Sequence, residues 1–139
     1  GAEDVVGGLK KPAVVCGRGN DFLTKALELN KKKQFDVALD LAARVEYDPK
    51  CDFAFVQASG LMAGIYVFET KDYEKGIAAA KKGLALDPRQ TSLWFTTGYA
   101  QYQVDSFEEA AESFLEQGVR FENGIVGFFR LVEADRASR

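Results

Sequence analysis

Residues 64–88 constrain the fold of this chain more than any other stretch of its sequence. An apolar and aromatic segment, Gly-Ile-Tyr-Val-Phe at 64–68, is followed by a polar turn at 69–72 and then by a segment with glycine and alanine on one face. Pro88 ends that second segment, because the residue before a proline is kept out of the α-helical region. The stretch therefore predicts two helices joined by a tight turn.

The same pattern occurs twice more along the chain. Small residues that suit the start of a second helix stand at Ala38, Gly76 and Ala110, at separations of 38 and 34 residues. In the middle copy, residues follow the order glycine, aromatic, two small residues and proline, at Gly64, Tyr73, Gly76, Gly83 and Pro88. This order and spacing resemble the tetratricopeptide repeat, a helix–turn–helix unit of 34 residues.

The resemblance implies an all-α fold, namely a right-handed α-solenoid of three tetratricopeptide-like helix–turn–helix repeats plus a C-terminal capping helix. The repeats are expected at about residues 19–52, 53–90 and 91–124, after an extended or flexible arm at 1–18. Residues 125–139 are expected to form the capping helix, since a repeat array needs a cover for its last apolar face. The first two helices are expected over about 21–32 and 35–47.

The first two copies are separated by four to five more residues than the family pattern allows. These extra residues lie within 50–59, a stretch that contains apolar residues and neither proline nor glycine. We expect them to lengthen the third helix at its start, near Asp52, and to make it longer than the first and fifth helices. The alternative is a bulged loop, which would expose Phe53 and Phe55.

Two glycines, Gly76 and Gly83, lie on one face of the predicted fourth helix. Glycine inside a helix costs about 1 kcal/mol relative to alanine, so a bulky neighbour is expected to approach that face closely. Trp94, at the start of the next helix, is the expected neighbour.

The composition excludes several classes of function. The chain has 139 residues, a net charge of −3 and no histidine, so we expect neither a nucleic-acid site nor a catalytic triad. No apolar run approaches the roughly 20 residues of a membrane span. Two cysteines without other soft ligands do not make a zinc site. We therefore expect no enzyme activity, no metal and no cofactor.

The two cysteines, Cys16 and Cys51, lie near the edges of the first copy. They could form a disulfide in an oxidising compartment. The simpler expectation is two unrelated thiols.

The resemblance also implies where a partner would bind, because the first helices of such repeats line a concave groove. Residues at the corresponding places would form one surface that holds an extended or helical polypeptide segment: Leu27, Leu61, Ile65, Phe68, Phe95, Tyr99 and Tyr102. The expected function is thus a protein-interaction module that binds an apolar or aromatic segment of another protein. The alternative is a structural or self-assembly domain whose groove is filled by its own N-terminal arm or by another copy, as a homo-oligomer. A third possibility is that Leu61 and Phe68 belong to the core and only the tyrosines reach the groove.

Overall fold

The computed structural model describes residues 17–120 and 136–137, and that part of the chain is helical with no strand. The helices are α1 (Arg18–Lys31), α2 (Phe35–Ala43), α3 (Asp52–Gly64), α4 (Tyr73–Leu86), α5 (Thr91–Gln103) and α6 (Phe107–Arg120). Five π-helical residues, Ile65–Glu69, continue α3 towards the turn before α4. The expectation of an all-α chain is confirmed for this region. Of the predicted arm at 1–18, residues 1–16 lie outside the described residues, and Arg18 already belongs to α1. The predicted capping helix at 125–139 also lies outside the described residues, apart from 136–137.

The six helices pair into three hairpins, α1–α2, α3–α4 and α5–α6, and each helix also packs against the next one along the chain. Each hairpin turns through one residue in the left-handed conformation: Lys33 (φ 61°), Lys71 (φ 60°) and Asp105 (φ 63°). These three residues are 38 and 34 positions apart, the same separations as those of Ala38, Gly76 and Ala110. The recurring sequence pattern therefore corresponds to three hairpins with equivalent turns.

The extra residues between the first two hairpins are absorbed as helix. α3 begins at Asp52 and has 13 α-helical residues followed by five π-helical residues, against 14 in α1 and 13 in α5. The prediction of a long third helix starting near Asp52 is confirmed, and the bulged loop is wrong. The ring of Phe55 packs edge-on against Tyr47, with centroids 5.9 Å apart, whereas Phe53 remains 38% exposed.

Two helix boundaries differ from the prediction. α1 begins at Arg18, three residues before the expected start, with Gly17 in the left-handed region (φ 49°) at its N-terminus. α2 ends at Ala43 rather than near 47. The chain then turns at Asp48, whose carboxylate Oδ1 accepts the N–H of Lys50 at 2.9 Å and whose carbonyl accepts that of Cys51 at 2.8 Å.

Cys51 is buried and takes part in a disulfide. The expectation of two unrelated thiols is therefore wrong for Cys51. The only other cysteine in the sequence is Cys16, which lies outside the described residues.

The core consists of three clusters in which small side chains are common. The first lies between α1, α2 and α3 and contains Leu23, Ala26, Ala42, Val45, Cys51, Ala54 and Ala58. The second joins the π-extended α3 to α4 and α5 through Ala63, Ala79, Ala80, Leu84 and Leu93. The third joins α5 to α6 through Tyr102, Ala110 and Phe114. Alanine at many of these positions lets the helix backbones approach closely, which fixes the spacing of the hairpins.

The two glycines of α4 meet side chains of the preceding and following helices. A Cβ at Gly76 would overlap Cγ2 of Val67, and a Cβ at Gly83 would lie 2.8 Å from Cδ1 of Leu93 and 3.3 Å from Cβ of Ser59. The expected close approach is confirmed, but the expected neighbour, Trp94, is wrong. Trp94 instead donates its indole N–H to the carbonyl of Pro88 at 2.8 Å.

The connection between α4 and α5 is organised by Asp87. α4 ends at Leu86, and Asp87 is extended (φ −140°, ψ 90°) as the position before Pro88 requires. One carboxylate oxygen accepts the side-chain N–H of Gln90 at 2.8 Å, and the other accepts the backbone N–H and Nε–H of Arg89 at 3.1 and 3.0 Å. The Gln90 hydrogen bond, followed by those of Arg89, lowers the pKa of Asp87 from its ordinary 3.8 to about 2.

We predict that Gly76→Ala destabilises the protein, whereas Gly64→Ala in α3 does not. Val67 is β-branched and fully buried, so it cannot turn away from a new methyl group, and overpacking of this kind typically costs about 1–3 kcal/mol. Nothing lies within 4 Å of a Cβ at Gly64, so that variant should keep the gain in helix propensity of up to about 1 kcal/mol. Urea unfolding of both variants measures the difference. Equal free energies of unfolding for the two variants would contradict the close contact at Gly76.

We also predict an acid-dependent loss of stability from Asp87. Because its pKa is depressed in the folded state, its contribution is complete above the unfolded pKa of about 3.9 and is lost as the pH falls through about 2. Wild-type protein should therefore lose more stability between about pH 4 and pH 2 than Asp87→Asn, which has no carboxylate to protonate. Urea unfolding over this pH range, together with an NMR titration of the Asp87 carboxyl carbon, provides the measurement. A titration midpoint near the unfolded value would contradict the prediction.

Candidate functional site

Four aromatic rings meet where the middle and last hairpins adjoin, and we call them the aromatic cluster: Phe68, Phe95, Tyr99 and Phe114. Phe68 belongs to the π-helical segment that follows α3, Phe95 and Tyr99 to α5, and Phe114 to α6. Residues from two hairpins therefore meet at this place.

The π-helical segment determines how Phe68 is presented. The N–H of Thr70 bonds to the carbonyl of Ile65 at 2.9 Å, five residues back, and the N–H of Asp72 bonds to that of Tyr66 at 2.7 Å, six residues back. In the other two hairpins the corresponding bonds, from Gln34 to Leu29 and from Ser106 to Gln101, span five residues. The middle hairpin thus holds one extra residue in its first helix, as a π-bulge does.

The rings of the aromatic cluster touch one another. The centroid of Phe68 lies 5.2 Å from that of Tyr99 and 6.5 Å from that of Phe95, with Phe68 and Phe95 nearly parallel at 17°. Phe95 also meets Phe114 edge-on at 5.7 Å and 68°. These separations and angles are those that aromatic pairs prefer.

Burial differs strongly across the aromatic cluster. Phe114 is 1% exposed and anchors the group in the core, Phe95 and Tyr99 are half-buried, and Phe68 is 38% exposed. The cluster therefore presents an apolar ring to solvent on a base that is fixed by packing, an arrangement that suits a binding surface.

A cavity of about 450 Å³ opens beside the exposed side of the cluster. Its lining is uncharged and combines two rings with hydroxyl and amide groups: Phe68, Thr91, Ser92, Phe95, Thr96 and Gln117. The hydroxyl of Thr96 already donates to the carbonyl of Ser92 at 2.9 Å. The site can therefore accept an apolar group while offering neutral polar contacts at its edge.

The structure brings only part of the predicted groove together. Phe68, Phe95 and Tyr99 adjoin one another, whereas Leu27 lies on α1, 41% exposed, and Leu61 packs against the first core cluster. Ile65 is 2% exposed and Tyr102 is 6% exposed. These last two side chains belong to the core, so they are not available to a ligand.

Residue spacing explains why the sequence could not separate these cases. Ile65 and Tyr99 are 34 positions apart, and so are Phe68 and Tyr102, yet in each pair one residue is buried and the other reaches the cluster. The extra residue of the π-bulge changes the phase of the first helix by about 100°, one residue of a 3.6-residue turn. Equivalent positions in the two hairpins therefore point in different directions.

Sequence reasoning also missed part of the site. Thr91, Thr96 and Gln117 line the cavity and Phe114 supports the rings, but none of the four belongs to the groove predicted from the sequence. The one available signal was Gln117, which stands where the repeat pattern has a small residue.

Within residues 17–120 and 136–137, no group of three histidine, cysteine or carboxylate side chains could hold a metal ion. Likewise, none of the helices described is both long and apolar enough to cross a bilayer.

Comparison with known proteins gives no match. No protein-family model, no curated protein and no solved structure resembles this chain significantly.

We predict that the four rings contribute unequally to stability. Phe114→Ala should cost about 3–5 kcal/mol, the usual range for removing a fully buried phenylalanine, whereas Phe68→Ala should cost less than about 1 kcal/mol because its ring is partly in water. Urea unfolding monitored by circular dichroism measures both. A Phe68→Ala variant as unstable as Phe114→Ala would show that Phe68 is a core residue.

Proposed function

We propose that this chain is a tetratricopeptide-like α-solenoid that acts as a protein-interaction module rather than as an enzyme. It would bind an apolar or aromatic segment of another polypeptide at the aromatic cluster and the adjoining cavity. The repeat pattern in the sequence and the three hairpins with equivalent turns support the solenoid part of this proposal.

One observation supports the proposal that the aromatic cluster binds a polypeptide. Phe68 is 38% exposed although it packs against Phe95 and Tyr99, and a cavity of about 450 Å³ lies beside it. A partly exposed ring on a rigid aromatic base can bury more apolar area against a ligand at little entropic cost. Buried aromatic contacts of this kind dominate the affinity of many interfaces.

The lining of the cavity indicates the chemistry of the ligand. Because no charged side chain lines it, a charged ligand group would lose water without gaining a partner. The hydroxyl of Ser92 and the amide of Gln117 can form hydrogen bonds with a polypeptide backbone. The preferred ligand is therefore an extended or helical segment with an aromatic or branched aliphatic side chain as its anchor.

A second candidate is a structural or self-assembly role, in which the chain's own arm or another copy fills the site. The disulfide at Cys51 supports this candidate, because the only other cysteine of the sequence, Cys16, belongs to the predicted arm. The apolar residues Val5, Val6, Val14 and Val15 of that arm could then supply the anchor.

We predict that peptides selected from a random display library on the wild-type protein carry aromatic or branched aliphatic anchors. The double variant Phe68→Ala/Tyr99→Ala should bind the selected peptides about 30-fold more weakly, the effect of losing about 2 kcal/mol at an interface hot spot. Fluorescence anisotropy with the labelled peptides measures the dissociation constant.

Phe53→Ala is the matched control, because Phe53 is also 38% exposed but lies outside the aromatic cluster. Its affinity for the peptides should change less than about twofold. Selected peptides that bind the double variant as tightly as the wild type would contradict the proposal. Binding that appears only after residues 1–16 are removed would favour the second candidate.

A further inference from the structure

Two grooves lie between the second helices of successive hairpins, and α4 forms a wall of both. The first, which we call the α2–α4 groove, has a volume of about 250 Å³ and is bounded by α2, α3 and α4. The second, the α4–α6 groove, has a volume of about 650 Å³ and is bounded by α4, α5 and α6. Neither contains a residue of the aromatic cluster, so they are separate from the proposed binding site.

The charged walls of the two grooves occupy equivalent positions in successive hairpins. Lys75 and Lys82 of α4 line the α2–α4 groove, and Glu109 and Glu116 of α6 line the α4–α6 groove. Each glutamate lies 34 residues after its lysine. The equivalent walls therefore have opposite charge.

The remaining charges of the linings strengthen this contrast. The α2–α4 groove has two lysines and no carboxylate in its lining. The α4–α6 groove adds Glu112 to the two glutamates and has one lysine, Lys81. One groove is thus basic and the other acidic, and both have apolar floors that include Phe55 and Met62 in the first and Leu84 and Trp94 in the second.

These charges face solvent. Lys75, Lys82, Glu109 and Glu112 are all exposed. The side chain of Lys75 remains 67% exposed even though its Nζ lies 3.5 Å from the Asp72 carboxylate. Leu115, on the rim of the α4–α6 groove, is 52% exposed. An exposed apolar residue beside charges that are mainly of one sign leaves this face suited to a partner of the opposite sign.

We propose that the partner is a second copy of this chain, with the basic α2–α4 groove of one copy facing the acidic α4–α6 groove of the other. The chain itself carries both complementary halves on one face. A two-fold axis that lies between the two copies and runs along α4 would pair both grooves at once, because the patch on either side of α4 is then self-complementary. Residues Ala78 and Ala85, exposed and seven positions apart on α4, lie on the same side of the helix and leave room for close approach.

Charge-exchange variants test this association. Lys75→Glu/Lys82→Glu gives a protein with two acidic grooves, and Glu109→Lys/Glu116→Lys gives one with two basic grooves. Sedimentation velocity should show a concentration-dependent dimer for the wild type, with an association constant that falls about tenfold or more in about 1 M salt, where the Debye length is about 3 Å. Each variant alone should remain monomeric, and an equimolar mixture of the two should again form a dimer.

The control is Lys31→Glu/Lys32→Glu, which makes the same change of net charge at the exposed end of α1. It should dimerise like the wild type, and so should Phe68→Ala/Tyr99→Ala. Circular dichroism confirms that each variant is folded. A wild type that stays monomeric at low salt, a mixture that fails to associate, or a dimer lost only on changing the aromatic cluster would each overturn the proposal.

Discussion

The close approach of α4 to its neighbours is the constraint on which the rest of this structure depends. Gly76 and Gly83 leave no room for a Cβ against Val67 and Leu93, so the middle hairpin is held tightly together and against the start of α5. Helix spacing at this place fixes the position of α5, and through α5 the position of Phe95 and Tyr99. The arrangement of the aromatic cluster depends on that rigidity, because its rings come from different helices.

The π-bulge before α4 acts together with this packing. It buries Val67 against Gly76 and at the same time places Phe68 beside the rings of α5. One irregular turn therefore connects the core of the middle hairpin to the aromatic cluster. π-bulges are frequent at functional sites, since the extra residue changes which side chains reach the surface. Here it places an aromatic ring at the surface next to an uncharged cavity.

The aromatic cluster and the grooves between the second helices differ in the kind of contact that they offer. The aromatic cluster and its cavity are uncharged, so affinity there would come from apolar burial. The grooves between the second helices are lined by lysines on one and mainly by glutamates on the other, so contact there would depend on salt. The proposed polypeptide site and the proposed contact between copies therefore share no lining residue.

The sequence by itself determined the features that depend on local physics. Pro88 ended α4, residues 50–59 were compatible with a longer α3, and small residues at regular separations marked the three hairpins. Tertiary structure alone decided which residues became accessible. The prediction placed Ile65 and Tyr102 in the groove because it applied one helical phase to every hairpin. In the structure, the π-bulge and the neighbouring helices bury both side chains. The neighbour of Gly83 was likewise set by how α5 docks, which made it Leu93 and not Trp94. Burial depends on the relative rotation of packed helices, and residue spacing along one helix does not specify that rotation.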